Sequence, residues 1–560
     1  MRRWEGNVLR LRKLESKGAS EEENKGMKRQ KESLLLLPLS LALLLCFART
    51  AQAATYYLAP AGPGVNDSPN DGSSGHPWLT PNHNLNCGDV IIAAPSSSYS
   101  GDHFTTGNWG NVACSPGDTA NVAWLKCATF DACKITVSSD DNSFYIDKSY
   151  WGVQGWEVDG NNNGDCFAAQ PSPVNPFTVH HVIFANNIAN NCGVVAFGSS
   201  NLYQSTTASA DYLVVVGNIA YNSASANVEF CGNSISFYEP ILSDTNSGTH
   251  FLVAGNFTYD NVDNPACAYG SPTDGEGIIL DTFNGSAGGI TPYAGQTVIE
   301  NNISIFNGSR GIWVLQDSAG SIYIKQNTTY GNNTDTHMSS FCGEIGANVV
   351  SGNVSISGNI TATSGSHTGN GSPWYDYIMG GSDTSVQITS GIAYDGPGGG
   401  NYCNSIDGGS FSCNAATLTF LDPGFPNPMN PGAPNCGGKS SVPDCMAAVI
   451  AGYTPANPAA KGYGYQIPST TPAFDPLFPK WLCNVTLPPG LVTMGCASSS
   501  PSACDVNKDG FTNVADVQGE VNQALGSAPC ANDINQDGVC NVIDVQLVVN
   551  AALGGTCVAP

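Results

Sequence analysis

Two stretches near the C-terminal end carry oxygen side chains at a spacing suited to a hard cation. The first, DVNKDGFTNVAD, runs from Asp505 to Asp516; the second, DINQDGVCNVID, runs from Asp533 to Asp544 and starts 28 residues later. Positions 1, 3, 5, 9 and 12 are Asp505, Asn507, Asp509, Asn513 and Asp516 in one loop, and Asp533, Asn535, Asp537, Asn541 and Asp544 in the other. Position 6 is Gly510 or Gly538, where the backbone must turn sharply, and the carbonyls of Phe511 and Val539 complete the set at position 7. Calcium takes roughly six to eight such oxygens, so the pattern predicts one Ca2+ in each loop.

A second group of reactive side chains lies in mid-chain. Setting Gly277 over Gly311 aligns GEGIILD with SRGIWVL, which places Glu276 over Arg310, Ile279 over Trp313 and Asp281 over Leu315. If the segments are strands of adjacent coils, they lie about 4.8 Å apart. Alternation then buries Ile278, Leu280, Ile312 and Val314 and turns Ile279, Asp281 and Trp313 outward. Arg310 is the only arginine after residue 53. An outward tryptophan beside Asp274, Glu276, Asp281 and a guanidinium suits a sugar-binding groove, with an apolar face for the ring and charge for its substituents. The alternative is a row of surface ion pairs, Arg310 with Glu276 and Lys325 with Glu300, each worth little in stability.

The elements that must hold these residues are written in a repeat. Two to four apolar residues, an asparagine, an apolar residue and a polar turn recur around Asn187, Asn218, Asn256, Asn302, Asn327 and Asn353, at intervals of 31, 38, 46, 25 and 26. Short β-branched runs without helical periodicity suit coils of a right-handed parallel β-helix whose asparagines stack in a ladder. Asn256, Asn302, Asn327 and Asn353 also sit in N-x-S/T sequons, which the ladder already explains. The opening YYLAPAG followed by NDGSSGHPWLT resembles the start of the pectate-lyase-like β-helix family, over Tyr56 to Asp395. That resemblance implies the fold, whereas the reaction stays open, because the fold hosts lyases, hydrolases, epimerases and adhesins. For β-elimination from a uronate polymer, Arg310 or a third calcium on Asp274, Glu276 and Asp281 would neutralise the carboxylate. Lys325 is the nearest candidate base, since lysine has that role in the calcium-dependent lyases of this fold. The clustered aspartates, Gly-His-Gly and Arg-Ile-Lys of polygalacturonase-type hydrolases do not occur; His250 and His337 read as turn or surface groups.

The two cation loops have Asp rather than Glu at position 12, and one helix follows each, expected over Val517 to Leu525 and Val545 to Leu553. With their tandem repeat they resemble a type I dockerin over Cys504 to Cys557. The resemblance implies a cohesin domain on a scaffold protein as partner; a calcium-stabilised appendage without a partner is the alternative.

Composition bounds the rest. Residues 1–53 hold 11 of the 20 Lys and Arg, and beyond them acids outnumber bases 39 to 9. Such a polyanion gains nothing from counterion release, which excludes nucleic acid. Lys28, Arg29 and Lys31, an apolar run from Leu34 to Phe47 and Ala51-Gln52-Ala53 read as a cleavable secretory signal preceded by an overextended start, not as a membrane span. Twenty cysteines without zinc spacing then predict disulfides in an oxidising compartment. The expected organisation is a start and signal over 1–53, a mainly β solenoid over 54–395, a Pro/Gly/Cys-rich cap or covering segment over 396–497, a linker over 498–503 and a small α-helical calcium-binding dockerin over 504–560. The expected protein is exported and carbohydrate-active, a lyase or hydrolase of a uronate-containing polysaccharide, or else a noncatalytic adhesion module with the same anchor.

Overall fold

The computed structural model describes residues 53–557 apart from 115–121, 139–142, 200–206, 226–230, 247, 271, 286–290, 316–318, 339–342, 349–352, 364–374, 381–385, 397–398, 401, 406–415, 497–502, 508–511, 513 and 553–556. The expected signal segment, most of the expected linker, and Asp509, Phe511 and Asn513 lie outside the described residues.

The apolar runs are too short for helices and satisfy their backbones only by pairing with the next coil. They form three long sheets, each taking every third strand of the chain. Sheet I has 11 strands, from Thr55–Leu58 to Val386–Ile388; sheet II has 11, from Ser96–Tyr99 to Leu418–Phe420; sheet III has nine, from Phe144–Ile146 to Cys403–Ser405. One coil is Val179–Ala185, Ile188–Asn190 and Val195–Ser199, paired in parallel with the coils before and after. The architecture is a parallel β-helix, and its strands continue past Asp395 to Phe420. Alternate side chains from all three sheets fill the interior, where Phe144, Phe167 and Phe197 stack at centroid distances of 5.0 and 4.7 Å.

The corner between sheets I and II is held by the amide ladder. Each rung's Oδ1 accepts from the N–H of the rung before it: Asn187 to Asn218 at 2.9 Å, then Asn256, Asn302, Asn327 and Asn359. The last rung is Asn359 and not Asn353, which instead starts the strand Asn353–Ser357 opposite Ser321. SGNVSI and SGNITA are nearly the same text, and only pairing register separates them. A second ladder, Ser223, Asn261, Asn307, Asn332 and Glu344, fastens the corner between sheets II and III.

The chain after Phe420 folds back along the solenoid. Val442, Met446, Ile450, Tyr453 and Tyr465 pack on the outside of sheet II; Phe478, Leu482 and Leu491 pack on the outside of sheet I. Each large apolar side chain buried this way contributes about 1.5–3 kcal/mol. Disulfides Cys436–Cys445 and Cys483–Cys496 tie this wrap, and Cys87–Cys114, Cys127–Cys133, Cys166–Cys192 and Cys231–Cys267 are among those in the coils before it. Among the described residues, none of the wrap joins the small cluster of Ile279, Trp313 and Ile378 on the outside of sheet III.

At the C-terminal end, two helices, Val514–Ala524 and Val542–Ala552, each start three residues earlier than expected. The Asn541 side chain caps the second, accepting from the Ile543 N–H at 2.8 Å, so the helix begins directly after loop position 9. Disulfides Cys504–Cys557 and Cys530–Cys540 close the unit around a small core of Cys504, Ile534 and Val548.

Candidate functional site

On sheet III the expected register holds: Ile278 faces Ile312, Ile279 faces Trp313, and Asp281 faces Leu315. Ile278, Leu280, Ile312 and Val314 enter the interior, and Ile279 and Trp313 take the outer face. Arg310 Nη1 donates to Glu276 Oε1 at 2.5 Å, and Ser309 Oγ donates to the same oxygen at 2.9 Å. The guanidinium lies over the Trp313 ring, 4.1 Å from its centroid. Asp274 accepts from Asn233 Nδ2 at 3.0 Å, and its N–H donates to Asp263 Oδ2 at 2.9 Å. Thus Asp263, Asp274, Glu276 and Arg310 gather at the entrance of adjacent sheet III strands, and Asp281 ends the strand that Glu276 precedes.

Three expectations change here. Trp313 is 4% exposed, not an open platform: its outward direction came from strand alternation, but its ring lies across Gly346, where a Cβ would come within 2.3 Å of it, and under Arg310. The ion pair is buried, with Arg310 4% exposed and Glu276 fully enclosed, rather than solvated. Lys325 does not join the group. It ends a sheet I strand opposite Glu300, 2.9 Å from that carboxylate, and pairs with Asp475 of the wrap. Burial alone would lower its pKa, but the two carboxylates outweigh burial and raise it, so Lys325 stays a cation and is a poor proton acceptor.

The electrostatics of the sheet III group are dominated by burial. It pushes Glu276 to about 7 against the pull of Arg310, and, together with Asp274 and Glu239, pushes Asp281 to about 7. Asp263, which the sequence reading missed, rises to about 9 through burial and then Asp274. It accepts from the Gly232 N–H at 2.8 Å and sits beside the Cys231–Cys267 disulfide, whose sulfurs are committed to each other. Carboxyls held near neutrality can give or take protons at ordinary pH. Glu276 Oε2 is buried with no hydrogen-bond partner among the described residues, but Asp274, Glu276 and Asp281 do not bring their oxygens together as the expected third calcium requires.

His250 is neither a turn nor a surface group. Its Nδ1 lies 2.8 Å from Asp211 Oδ1, both side chains fully buried, and Tyr293 Oη donates to the same oxygen at 2.6 Å. Its ring continues a column: Tyr150, His181, Tyr212 and His250 stack at centroid distances of 4.9, 4.4 and 3.9 Å. Each ring precedes by six residues the residue at the first ladder's position, Trp156, Asn187, Asn218 or Asn256, so the column was legible in the spacing. Tyr150, His181 and Tyr212 have φ of 69°, 56° and 47°, and the stacking offsets the cost of about 1–2 kcal/mol for each left-handed residue. Trp481 of the wrap meets His181 edge to face. His337, by contrast, is half exposed beside Asp335.

In the second C-terminal loop the carboxylates hold the backbone of the turn. Asp533 accepts from the N–H groups of Asp537 and Gly538, Asp537 from that of Val539, and Asp544 from those of Ile534, Asn535 and Asn541. Gly538 has φ of 93°, which a side chain at the sharp turn would strain. In the first loop Asp516 Oδ1 accepts from the Asn507 N–H at 3.1 Å, the counterpart of Asp544 with Asn535. An all-oxygen donor set around a glycine turn fits calcium.

No family model and no curated protein matches the chain. Among solved structures it is similar to a pectate lyase (17% identity, TM-score 0.36, 61% of this chain and 78% of that one). It is also similar to the A-module of a mannuronan C-5 epimerase from Azotobacter vinelandii (14%, 0.28, 60% and 91%). A third is a rhamnogalacturonan lyase (12%, 0.33, 74% and 99%). Scores this low give no residue-by-residue correspondence.

Proposed function

We propose that the chain is an exported carbohydrate-active β-helix protein that binds or cleaves a uronate-containing polysaccharide on the outer face of sheet III. The observation that carries this is the placement of the charged group. The wrap covers sheets I and II with apolar side chains, and Asp263, Asp274, Glu276, Asp281 and Arg310 gather on the remaining sheet. Burial keeps Asp263, Glu276 and Asp281 from being fully charged, so the group does not simply repel an anionic polymer. Arg310, although engaged by Glu276, is the preferred neutraliser of a substrate carboxylate, because Asp274, Glu276 and Asp281 do not bring their oxygens close enough together to hold one ion. Incubation with pectin, alginate and other uronans, with calcium or chelator, tests it. Unsaturated uronates absorbing in the ultraviolet mark a lyase and new reducing ends a hydrolase; neither product and no binding on the whole panel refutes the reading. A noncatalytic matrix-binding role is the second reading, favoured by the enclosed Trp313 and by the separation of Lys325 from the group.

The C-terminal unit is proposed to be a dockerin that attaches the solenoid to a cohesin. Val514 and Val542, at the same position of the two repeats, are 80% and 74% exposed, apolar surface repeated on a small calcium-dependent unit. Eight disulfides among the described residues fit an oxidising, extracellular setting, and no described helix is long and apolar enough to cross a membrane.

A further inference from the structure

His250, the second residue of the sheet I strand Thr249–Ala254, is fully enclosed, and each of its ring nitrogens meets an oxygen. Nε2 lies 3.0 Å from the Asn246 carbonyl, which can only accept, so Nε2 carries a hydrogen. Nδ1 lies 2.8 Å from Asp211 Oδ1. That oxygen also accepts from the Tyr293 hydroxyl at 2.6 Å and the Tyr212 N–H at 2.9 Å, while Asp211 Oδ2 accepts from the N–H and hydroxyl of Ser243 at 2.6 and 2.8 Å. A carboxylate already taking these four donors has no hydrogen to give, so the hydrogen between it and the ring belongs to Nδ1. With both nitrogens protonated the ring is an imidazolium and Asp211 is its counter-ion. Its face stacks on Tyr212 at 3.9 Å, a contact that favours a cation.

The pair joins the strand Ala210–Val216, the turn 243–246 and the chain at Tyr293, and its neighbours reach the wrap. Thr249 donates its hydroxyl to the Leu477 carbonyl at 2.5 Å, and Trp481 meets the rings of His181 and Tyr212 edge to face at 4.8 and 6.3 Å. Phe478 and Leu482 of the same stretch cover sheet I. We propose that the His250 imidazolium is a pH-sensitive lock that holds this stretch of the wrap on the solenoid and opens when alkali removes the Nδ1 proton. Without that proton a nitrogen lone pair faces the Asp211 carboxylate inside an enclosed site, and one of the two must swing away. Around the ring, Asp244 accepts from the Tyr212 hydroxyl at 2.9 Å and adds negative charge; burial holds the Tyr293 phenol neutral. Beyond Tyr212, burial pushes His181 down to about 3 and lowers His180 too, so neither replaces the lost cation. Burial alone would also lower the pKa of His250, but the hydrogen bond and charge of Asp211 outweigh it and raise it above 6.5. The contribution of the lock to stability is therefore whole below 6.5 and is lost as pH rises through the raised folded value.

Two readouts on the full chain test the lock. Nitrogen-15 spectra of histidine-labelled protein, with His250 identified by its ring contacts to Tyr212 and Tyr293, should show two protonated ring nitrogens at pH 7. Trypsin cleavage after Lys480, exposed at the start of the short helix Lys480–Asn484, reads release of the wrap. Normalised to a free peptide of the same sequence, cleavage should be slow and constant while His250 is charged, and should rise at least tenfold in step with the loss of its Nδ1 proton. His250→Gln, which has no charge to lose, should be cleaved fast and independently of pH; if that variant does not fold, the profile of the parent still decides. A His250 ring with one bare nitrogen at pH 7, or a cleavage rate that does not follow its titration, overturns the proposal.

Discussion

Arg310→Ala is the substitution whose outcome the structure changes most. A surface pair would lose under about 1 kcal/mol, but here the guanidinium is enclosed, 2.5 Å from Glu276 Oε1 and stacked over Trp313 at 4.1 Å. Breaking a buried pair by removing one partner costs about 3–5 kcal/mol, and the cation–π contact adds about 1. Glu276, held at about 7 with the arginine present, rises further without it. The variant's Glu276 must therefore keep a proton that the unfolded chain gives up above about 4.5. The sign follows: the parent's Glu276 also keeps its proton up to about 7, so the pH-dependent part of the variant's deficit appears only above about 7 and is absent at pH 5. Thermal or denaturant unfolding of parent and variant at pH 8 and pH 5 measures it. Combining Arg310→Met with Glu276→Gln, which removes both charges and keeps the volume, should recover most of the loss. A deficit below about 1 kcal/mol at pH 8, or one independent of pH, would mean that the pair is solvated and the burial argument wrong.

Glu344 closes the second ladder, accepting from the Asn332 N–H at 3.1 Å, and burial pushes it to about 8. Its folded-state pKa is raised, so the folded chain holds a proton that the unfolded chain loses, and stability falls as pH climbs from about 4.5 to about 8. Glu344→Gln should therefore unfold later than the parent at pH 8 by a few kcal/mol, and equally at pH 4.5; a parent whose stability is flat over that range contradicts the assignment. In the C-terminal unit, Asp505→Ala and Asp533→Ala should each weaken cohesin capture less than the double substitution does, and chelator should abolish it. Capture that persists in chelator removes the calcium-dependent docking hypothesis.

The solenoid was readable in the chain because its determinants are local and repeated. The asparagines from Asn187 to Asn327 announce the coils, the Gly277 and Gly311 alignment yields the sheet III register, and the C-terminal repeat announces its two helices. The shift of the last rung from Asn353 to Asn359 marks the limit, since two similar phrases compete and only hydrogen-bond register chooses. Alternation along a strand decides which way Trp313 points, but not what lies over it. Whether a charge is solvated depends on segments far away in sequence: Asp475 reaches Lys325 across 150 residues, and Tyr293 reaches Asp211 across 82. The wrap after Phe420 has no period, because it packs on a surface already made and needs only apolar side chains at irregular intervals. Sequence periodicity therefore determined the coils. Tertiary packing alone decided which acids are buried, which ion pairs lose their water, and which face of the solenoid keeps its charge.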